Sequence, residues 1–421
     1  MNSRNKNLYR VLLLLAFVGI NAAILFGIGA VWAFMNSGAD KASILHLAIE
    51  AADNYRPKVE WEQLENEGRP MEQQTLMDIQ NDYLQSWYVR NAAFSSNDSY
   101  GLKDYFTDSM RLKLSRVLEL NKANGTTVKQ TTLAHHPKLE FYSSDGKLIV
   151  FTDKAVEAYS QVLQDGKIVH SARLINTYRV LMLLEDGFWR IRHMEDVEIP
   201  KEISQVNGIV STVNLNTLKG INYYPAQTPW NTFGLRFDEA VIKADFQKID
   251  EMGLNTLRIF VPYHDFGEAE VLEEKLNKLK KVFDLAAESN LEILVTLFDF
   301  YGDYDLTDWN STNRHTESIV RSLKEHPALL GWDIKNEPDL DFETRGKAEV
   351  LAWLEEKVRQ VKKIDPHHPV TIGWSSVNAA MNLEEQLDFI SYHFYDLPEL
   401  FEPALSELRK KIKDKPIMIS E

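Results

Sequence analysis

From residue 218 onward the chain alternates short apolar runs with longer amphipathic ones, and this alternation restricts the fold more than any other feature. Residues 218–224, 254–262, 291–298, 328–336, 369–374, 389–394 and 416–420 read as strands. Residues 237–252, 269–289, 317–325, 344–364 and 403–413 carry helical spacing between them. Gly253 suits a position just past a helix end, and Pro403 suits a helix start, where a missing N–H costs nothing. The strand runs are near-continuously apolar instead of alternating, as expected for a parallel sheet covered on both faces. No Gly-x-Gly-x-x-Gly loop follows the first strand, which favours a barrel over an open nucleotide-binding sheet.

The fourth strand ends in Gly-Trp-Asp-Ile-Lys-Asn-Glu-Pro-Asp, residues 331–339. Pro338 cannot donate a ladder hydrogen bond, so the strand stops there. Asn336 and Glu337 therefore lie at the carboxyl end of a strand, where parallel α/β proteins place their chemistry. A lone Asn-Glu-Pro would suit an ordinary strand end equally well; the surrounding pattern gives it weight.

Composition closes other routes. The chain has 421 residues and a formal charge of −15, a balance that argues against nucleic acid as a partner. It has no cysteine, which excludes disulfides, thiol nucleophiles and cysteine metal sites. Aromatic residues make up 11% and many fall in the second half, which suits a groove for sugar rings.

Residues 11–34, about 24 in number, contain no charge, enough to span a ~30 Å hydrocarbon core. Arg4, Lys6 and Arg10 precede the run, so the N-terminus is expected in the cytoplasm and everything after Phe34 outside it. A single-pass anchor over residues 1–36 is preferred to a cleaved signal peptide, whose apolar core is ~7–15 residues. Residues 37–70 read as a linker. From 71 a helical pattern begins, and a second helix is expected over 107–120. The period then changes to strands at 138–141, 147–152, 155–164, 168–184 and 188–197, with Ser-Asp-Gly, Gln-Asp-Gly and Glu-Asp-Gly as turn signals. Two helices followed by a long-stranded antiparallel meander over 71–205 resemble the nuclear-transport-factor-2-like α+β cone. That resemblance implies a spacer or accessory module. His135, His136, His170 and His193 could line a pocket in it, although surface or core roles suit them better.

The motifs of the second region resemble clan A glycoside hydrolases. They are Gly-Ile-Asn-Tyr on strand one, Leu-Asn-Thr-Leu-Arg-Ile on strand two, and His-Pro-Ala-Leu-Leu-Gly-Trp-Asp-Ile-Lys-Asn-Glu-Pro into strand four. Ser-Tyr-His-Phe-Tyr on strand six and Pro-Ile-Met-Ile-Ser-Glu on strand seven complete the set. The similarity is to the cellulase and mannanase family 5, or to the barrel of the β-galactosidase family 2, over residues 215–421. It implies a (β/α)8-type barrel and a retaining β-glycosidase acting on oligo- or polysaccharide, with no cofactor and no metal. By the same resemblance Glu337 is the general acid/base and Glu421 the nucleophile. Asn336 would bind the sugar 2-hydroxyl. Arg258 would orient the nucleophile, or instead form an ion pair with Asp333 inside the barrel. His393 and Tyr395 share a strand face and could touch nucleophile or sugar. Asn222 and Tyr224 end strand one as weaker candidates. Trp309, Trp374 and Trp230 are candidates for sugar platforms, each equally compatible with the core. Asp299, Asp303, Asp305 and Asp308 cluster after strand three, in a spacing that fits a solvated or sugar-binding loop better than a calcium loop.

Residues 218–421 number about 204, against ~250 for such barrels. The expectation is a C-terminally incomplete barrel ending after strand seven, with little turnover of aryl β-glycosides by the 421-residue chain itself. A different class of reading is a non-catalytic carbohydrate-binding or envelope scaffold protein with an incomplete barrel. A third pairs the anchored hydrolase with a membrane polysaccharide synthase.

Overall fold

The structure is a computed structural model that describes residues 55–62, 64, 69–198, 201–202 and 215–421, with isolated positions between 16 and 25. The anchor expected at 11–34 lies almost wholly outside the described residues. Among the described residues no helix is long and apolar enough to cross a membrane.

The first region begins with β1 (Lys58–Val59), followed by α1 (Gln73–Ser96), α2 (Leu102–Tyr105) and α3 (Asp108–Ala123). Four long strands come next: β2 (Thr126–Tyr142), β3 (Leu148–Gln164), β4 (Lys167–Glu185) and β5 (Phe188–Asp196). A short β6 (Lys201–Glu202) pairs with β4. The sheet runs β1-β2-β3-β4-β5, antiparallel from β2 onward. The sequence reading differs at several points, among them β2, expected only over 138–141. Residues 58–59, expected in a linker, add a parallel strand to β2, and Tyr55 beside them is buried. The runs 147–152 and 155–164 are one strand, bent where the ladder shifts between Asp153 and Val156 and Ala155 takes a φ of 51°. A bulge breaks the period-2 pattern without ending the pairing, which is why the sequence suggests two strands.

His135 sits fully buried within this module. Its Nδ1 is 2.6 Å from Asp153 Oδ2 and its Nε2 is 2.8 Å from the Thr132 hydroxyl. The Tyr83 hydroxyl donates to the same Asp153 oxygen at 2.7 Å. His136 is half-buried, His170 exposed and His193 pairs with Glu195 at 3.1 Å, so the four histidines do not converge.

The second region holds β7 (Gly220–Asn222), α4 (Glu239–Glu251), β8 (Thr256–Pro262), α5 (Glu273–Glu288), β9 (Glu292–Asp299) and α6 (Trp309–Leu323). It continues through β10 (Leu329–Asn336), α7 (Lys347–Ile364), β11 (Val370–Trp374), β12 (Ile390–Tyr392), α8 (Phe401–Lys411) and β13 (Ile417–Ile419). All seven strands are parallel and each pairs with its sequence neighbour, giving the (β/α)8-type order with β7 and β13 as edges. Strands β8 to β11 are buried almost end to end, as their mainly apolar character leads one to expect. Asp238 caps α4 by accepting from the N–H groups of Ala240 and Val241.

The two regions share a buried seam. Trp309, at the start of α6, is fully buried and stacks on Tyr159 of β3 with centroids 4.7 Å apart. Asn310 donates to the Thr132 carbonyl at 3.2 Å. Across the same seam Glu157 meets Arg359 at 3.4 Å and Lys363 at 2.7 Å, and Arg173 pairs with the fully buried Glu356. Trp309 is thus part of the inter-region core and not a sugar platform; the helix start turns its ring away from the barrel mouth. Replacing Trp309 with alanine is expected to cost ~3–5 kcal/mol. Urea denaturation followed by near-ultraviolet dichroism checks this, the expected result being an earlier transition that splits in two as the regions uncouple.

Candidate active site

The site is built at the carboxyl ends of β8, β10, β11, β12 and β13. Its base is Arg258, which β8 carries inward so that the side chain is only 4% exposed. Arg258 donates to Asp333 Oδ2 through Nε at 2.9 Å and Nη2 at 2.6 Å. Asp333 is fully buried on β10 and also accepts from the Thr296 hydroxyl and the Gly373 N–H, each at 2.8 Å. Such a buried pair persists because the remaining lone pairs are satisfied.

The same guanidinium reaches upward to the functional residues. Nη2 donates to Asn336 Oδ1 at 2.8 Å, and Nη1 to Glu421 Oε2 at 3.3 Å. The two roles that the sequence left open for Arg258 are therefore filled together. The Phe260 ring lies between Arg258, 4.7 Å from its centroid, and Tyr224, stacked at 4.9 Å. Tyr224 also donates to Asp299 at 3.2 Å. Burial pushes the Asp299 carboxyl above its usual range.

Glu337 ends β10 with a φ of 46°, in the left-handed region, although it is neither glycine nor asparagine. Its N–H donates to the Gly373 carbonyl at 2.7 Å, which holds this conformation against the exit forced by Pro338. Backbone held in so sparsely populated a region is a mark of functional sites. Glu421 follows β13, its carbonyl accepting from the Phe394 N–H at 2.9 Å. His393, fully buried after β12, joins the two acids. Its Nδ1 is 2.7 Å from Glu337 Oε1 and 3.7 Å from Glu421 Oε2. The two oxygens are therefore separated by no more than the sum of those distances, about 6.4 Å, against ~5–5.5 Å between the carboxyls of retaining glycosidases. The Tyr395 hydroxyl lies 3.4 Å from the same Nδ1. Desolvation, then a hydrogen bond to Glu421 and the charge of both acids, holds this phenol well above its ordinary value, so it stays a neutral donor.

Of the residues predicted from sequence, the fold brings Arg258, Asn336, Glu337, His393, Tyr395 and Glu421 into one network. Asn222 and Tyr224 border it; Asn222 is half-buried, and its Oδ1 has no hydrogen-bond partner among the described residues. Trp374 is fully buried beside Phe342 and, like Trp309, cannot present a face to a sugar. Its ring lies 6.4 Å from that of Phe342, in the turn that leads into α7. Trp230, 63% exposed and 6.2 Å from Tyr224, keeps an open face at the rim. The acidic loop does not act as a unit. Asp305 caps the turn before α6, and Asp299 turns to Tyr224. Partial burial and the neighbouring Asp303 push Asp308 up to about 6.

Sequence reasoning missed Gly373. A Cβ there would lie 2.5 Å from Arg258 Nη2 and 3.1 Å from Asp333 Oδ2. The residue is glycine because the ion pair occupies the space of its side chain, and no local pattern in the Ile-Gly-Trp strand signals that.

Residues 218–411 match the family model described as cellulase, glycosyl hydrolase family 5. A β-glucuronidase of Chlorocebus aethiops is 28% identical over 199 residues, 45% of this chain and 28% of that protein. A probable mannan endo-1,4-β-mannosidase C of Aspergillus terreus is 27% identical over 128 residues, 23% of this chain and 32% of that protein. The chain thus spans only about a third or less of the curated relatives' length. The solved exo-β-1,4-mannosidase Op5Man5 of Opitutaceae bacterium strain TAV5 aligns with 48% of this chain and 44% of its own, at 19% identity and a TM-score of 0.43. The second region thus matches the family 5 glycosyl hydrolase model over most of its length, in keeping with a clan A glycoside hydrolase.

Two expectations follow. Arg258→Met leaves Asp333 buried without its counter-charge and is expected to cost ~3–5 kcal/mol, measured as a lower urea midpoint. The Asp308 carboxyl, near 3.9 when unfolded, binds its proton more tightly in the folded chain. The stability this confers is complete below pH ~4 and lost as pH rises through about 6. Asp308→Asn is therefore expected to raise Tm above pH 6 by roughly 2–4 °C and to flatten the decline between pH 4 and 6, as scanning calorimetry would record.

Proposed function

We propose that this protein is a mannanase-type retaining β-glycosidase that hydrolyses β-linked oligo- or polysaccharide by double displacement. The observation that carries the reading is the approach of Glu337 and Glu421 to one histidine nitrogen, at 2.7 and 3.7 Å. The bound of about 6.4 Å on their separation lies nearer the ~5–5.5 Å of retaining enzymes than most of the ~6.5–9.5 Å inverting range, and the carboxylate opposite the acid is left to attack the sugar directly. Glu337, with a side chain 19% exposed, protonates the departing glycosidic oxygen. Glu421, held by Arg258, attacks the anomeric carbon and forms a glycosyl ester. Glu337 then takes a proton from water as that water cleaves the ester. Asn336, its oxygen fixed by Arg258, has its amide free to donate to the 2-hydroxyl of the sugar. Trp230 offers a stacking face at the rim. The mannan-specific relatives direct the choice of substrate first to β-1,4-mannans, with β-glucuronides second.

The charge-free run after Arg10 supports a single-pass anchor with the glycosidase outside the cytoplasm, placed to act on envelope polysaccharide or beside a polysaccharide synthase. The region over 71–205, like a nuclear-transport-factor-2 cone in element order, would serve as the spacer that carries the barrel.

Reducing-sugar release from β-1,4-mannan by the full-length protein tests the reading. Glu337→Gln is expected to lower kcat by about 10²–10⁴-fold while its dichroism spectrum stays unchanged. A variant as active as the parent would remove Glu337 from the mechanism.

A further inference from the structure

A second cavity, of about 260 Å³, lies on the flank of the barrel where α6 and α7 face β2 and β3 of the first region. It is separate from the catalytic network, sharing none of its residues. Six cationic side chains line it: Arg56 and Lys58 from the first region, Arg314 and Arg321 from α6, Arg359 and Lys363 from α7. Only three carboxylates line it, Glu157, Glu317 and Glu356. This excess of positive charge stands out in a chain whose formal charge is −15.

The three carboxylates are already shared between cations. Glu157 serves Arg359 and Lys363, Glu317 serves Arg321 at 2.8 Å and Lys58 at 3.8 Å, and Glu356 serves Arg173 and Arg359. Arg56 is itself partnered, Glu355 bears on Arg359, and two further acids touch the rim, Glu60 against Lys58 and Glu270 against Arg314, at 55% and 77% exposure. Water screens such pairs to a small fraction of their Coulomb energy. The Arg314 Nε is buried and has no hydrogen-bond partner among the described residues. Asn313 and Gln360 add polar groups to the same wall. Guanidinium forks facing a cavity match planar, multiply charged anions, which they bind through paired hydrogen bonds. A volume just below the ~300 Å³ at which drug-sized sites begin limits the guest to a compact molecule.

We propose that this cavity is a binding site for a small anion bearing two or more carboxylate or phosphate groups, held between the first region and the barrel. Such a ligand touches both regions at once, so its binding stabilises their junction.

Isothermal titration of the full chain with citrate and with inorganic pyrophosphate, and with glycerol as a neutral control, tests the site. The expected result is one-to-one binding of at least one anion, a rise in Tm in its presence, and no saturable heat from glycerol. Binding of citrate alone assigns carboxylate chemistry, of pyrophosphate alone phosphate chemistry, and of both a shared anion site. Arg321→Gln with Lys363→Gln, two exposed positions, is expected to weaken binding at least fivefold. Lys58→Gln, from the opposite wall, is expected to weaken it as well. Lys410→Gln with Lys411→Gln on α8 removes equal charge elsewhere and is expected to leave it unchanged. Absence of binding by either anion, or equal weakening by the α8 variant, would overturn the proposal. Because binding is read directly, the outcome is independent of Glu337 and of glycosidase activity.

Discussion

The ion pair between Arg258 and Asp333 organises everything above it. Both side chains are removed from water, and Asp333 is satisfied from four directions: twice by the guanidinium, once by Thr296 and once by the Gly373 backbone. With Asp333 absorbing most of its charge, Arg258 still has one donor for Asn336 and one for Glu421. A single buried cation thereby fixes the positions of two residues, one on the central strand and one just past an edge strand of a seven-stranded sheet. The arrangement demands glycine at 373, because the guanidinium occupies the volume where a side chain would begin.

A second set of constraints holds the acids in register. The backbone of Glu337 is trapped in a left-handed turn between a strand hydrogen bond and a proline. The backbone of Glu421 is tied to Phe394, and His393 next to it bridges the acids. Strands and the residues just past their carboxyl ends supply this network, so much of its geometry inherits the rigidity of the sheet. The buried seam between the regions, with Trp309 against Tyr159, extends that rigidity outward to the first region.

Much of this was legible in the residue order. Apolar runs set against amphipathic ones identify the parallel strands and covering helices, and Pro338 marks where the fourth strand stops. Glu337, Asn336, Arg258, His393 and Glu421 were named because their motifs resemble those of clan A glycoside hydrolases, and the fold brings them into one network. The tryptophans were not separable in this way. Trp309 and Trp374 also follow or end strands, but a ring at such a position can face the mouth or the helix layer. The backbone path decides which, and both rings turned inward. Bulges were equally hidden: the break at Ala155 looks like a strand end, although the ladder continues through it.

By itself the sequence determined the alternation of elements, the parallel class of the sheet and the chemical type of the acid pair, because periodicity and side-chain chemistry are local properties. Only the tertiary structure decided that Arg258 serves Asp333, Asn336 and Glu421 at once, that Gly373 makes room for it, and that six cations from two regions line one cavity. Those facts depend on distances between residues far apart in the chain, and such distances are set by packing, which no local pattern records.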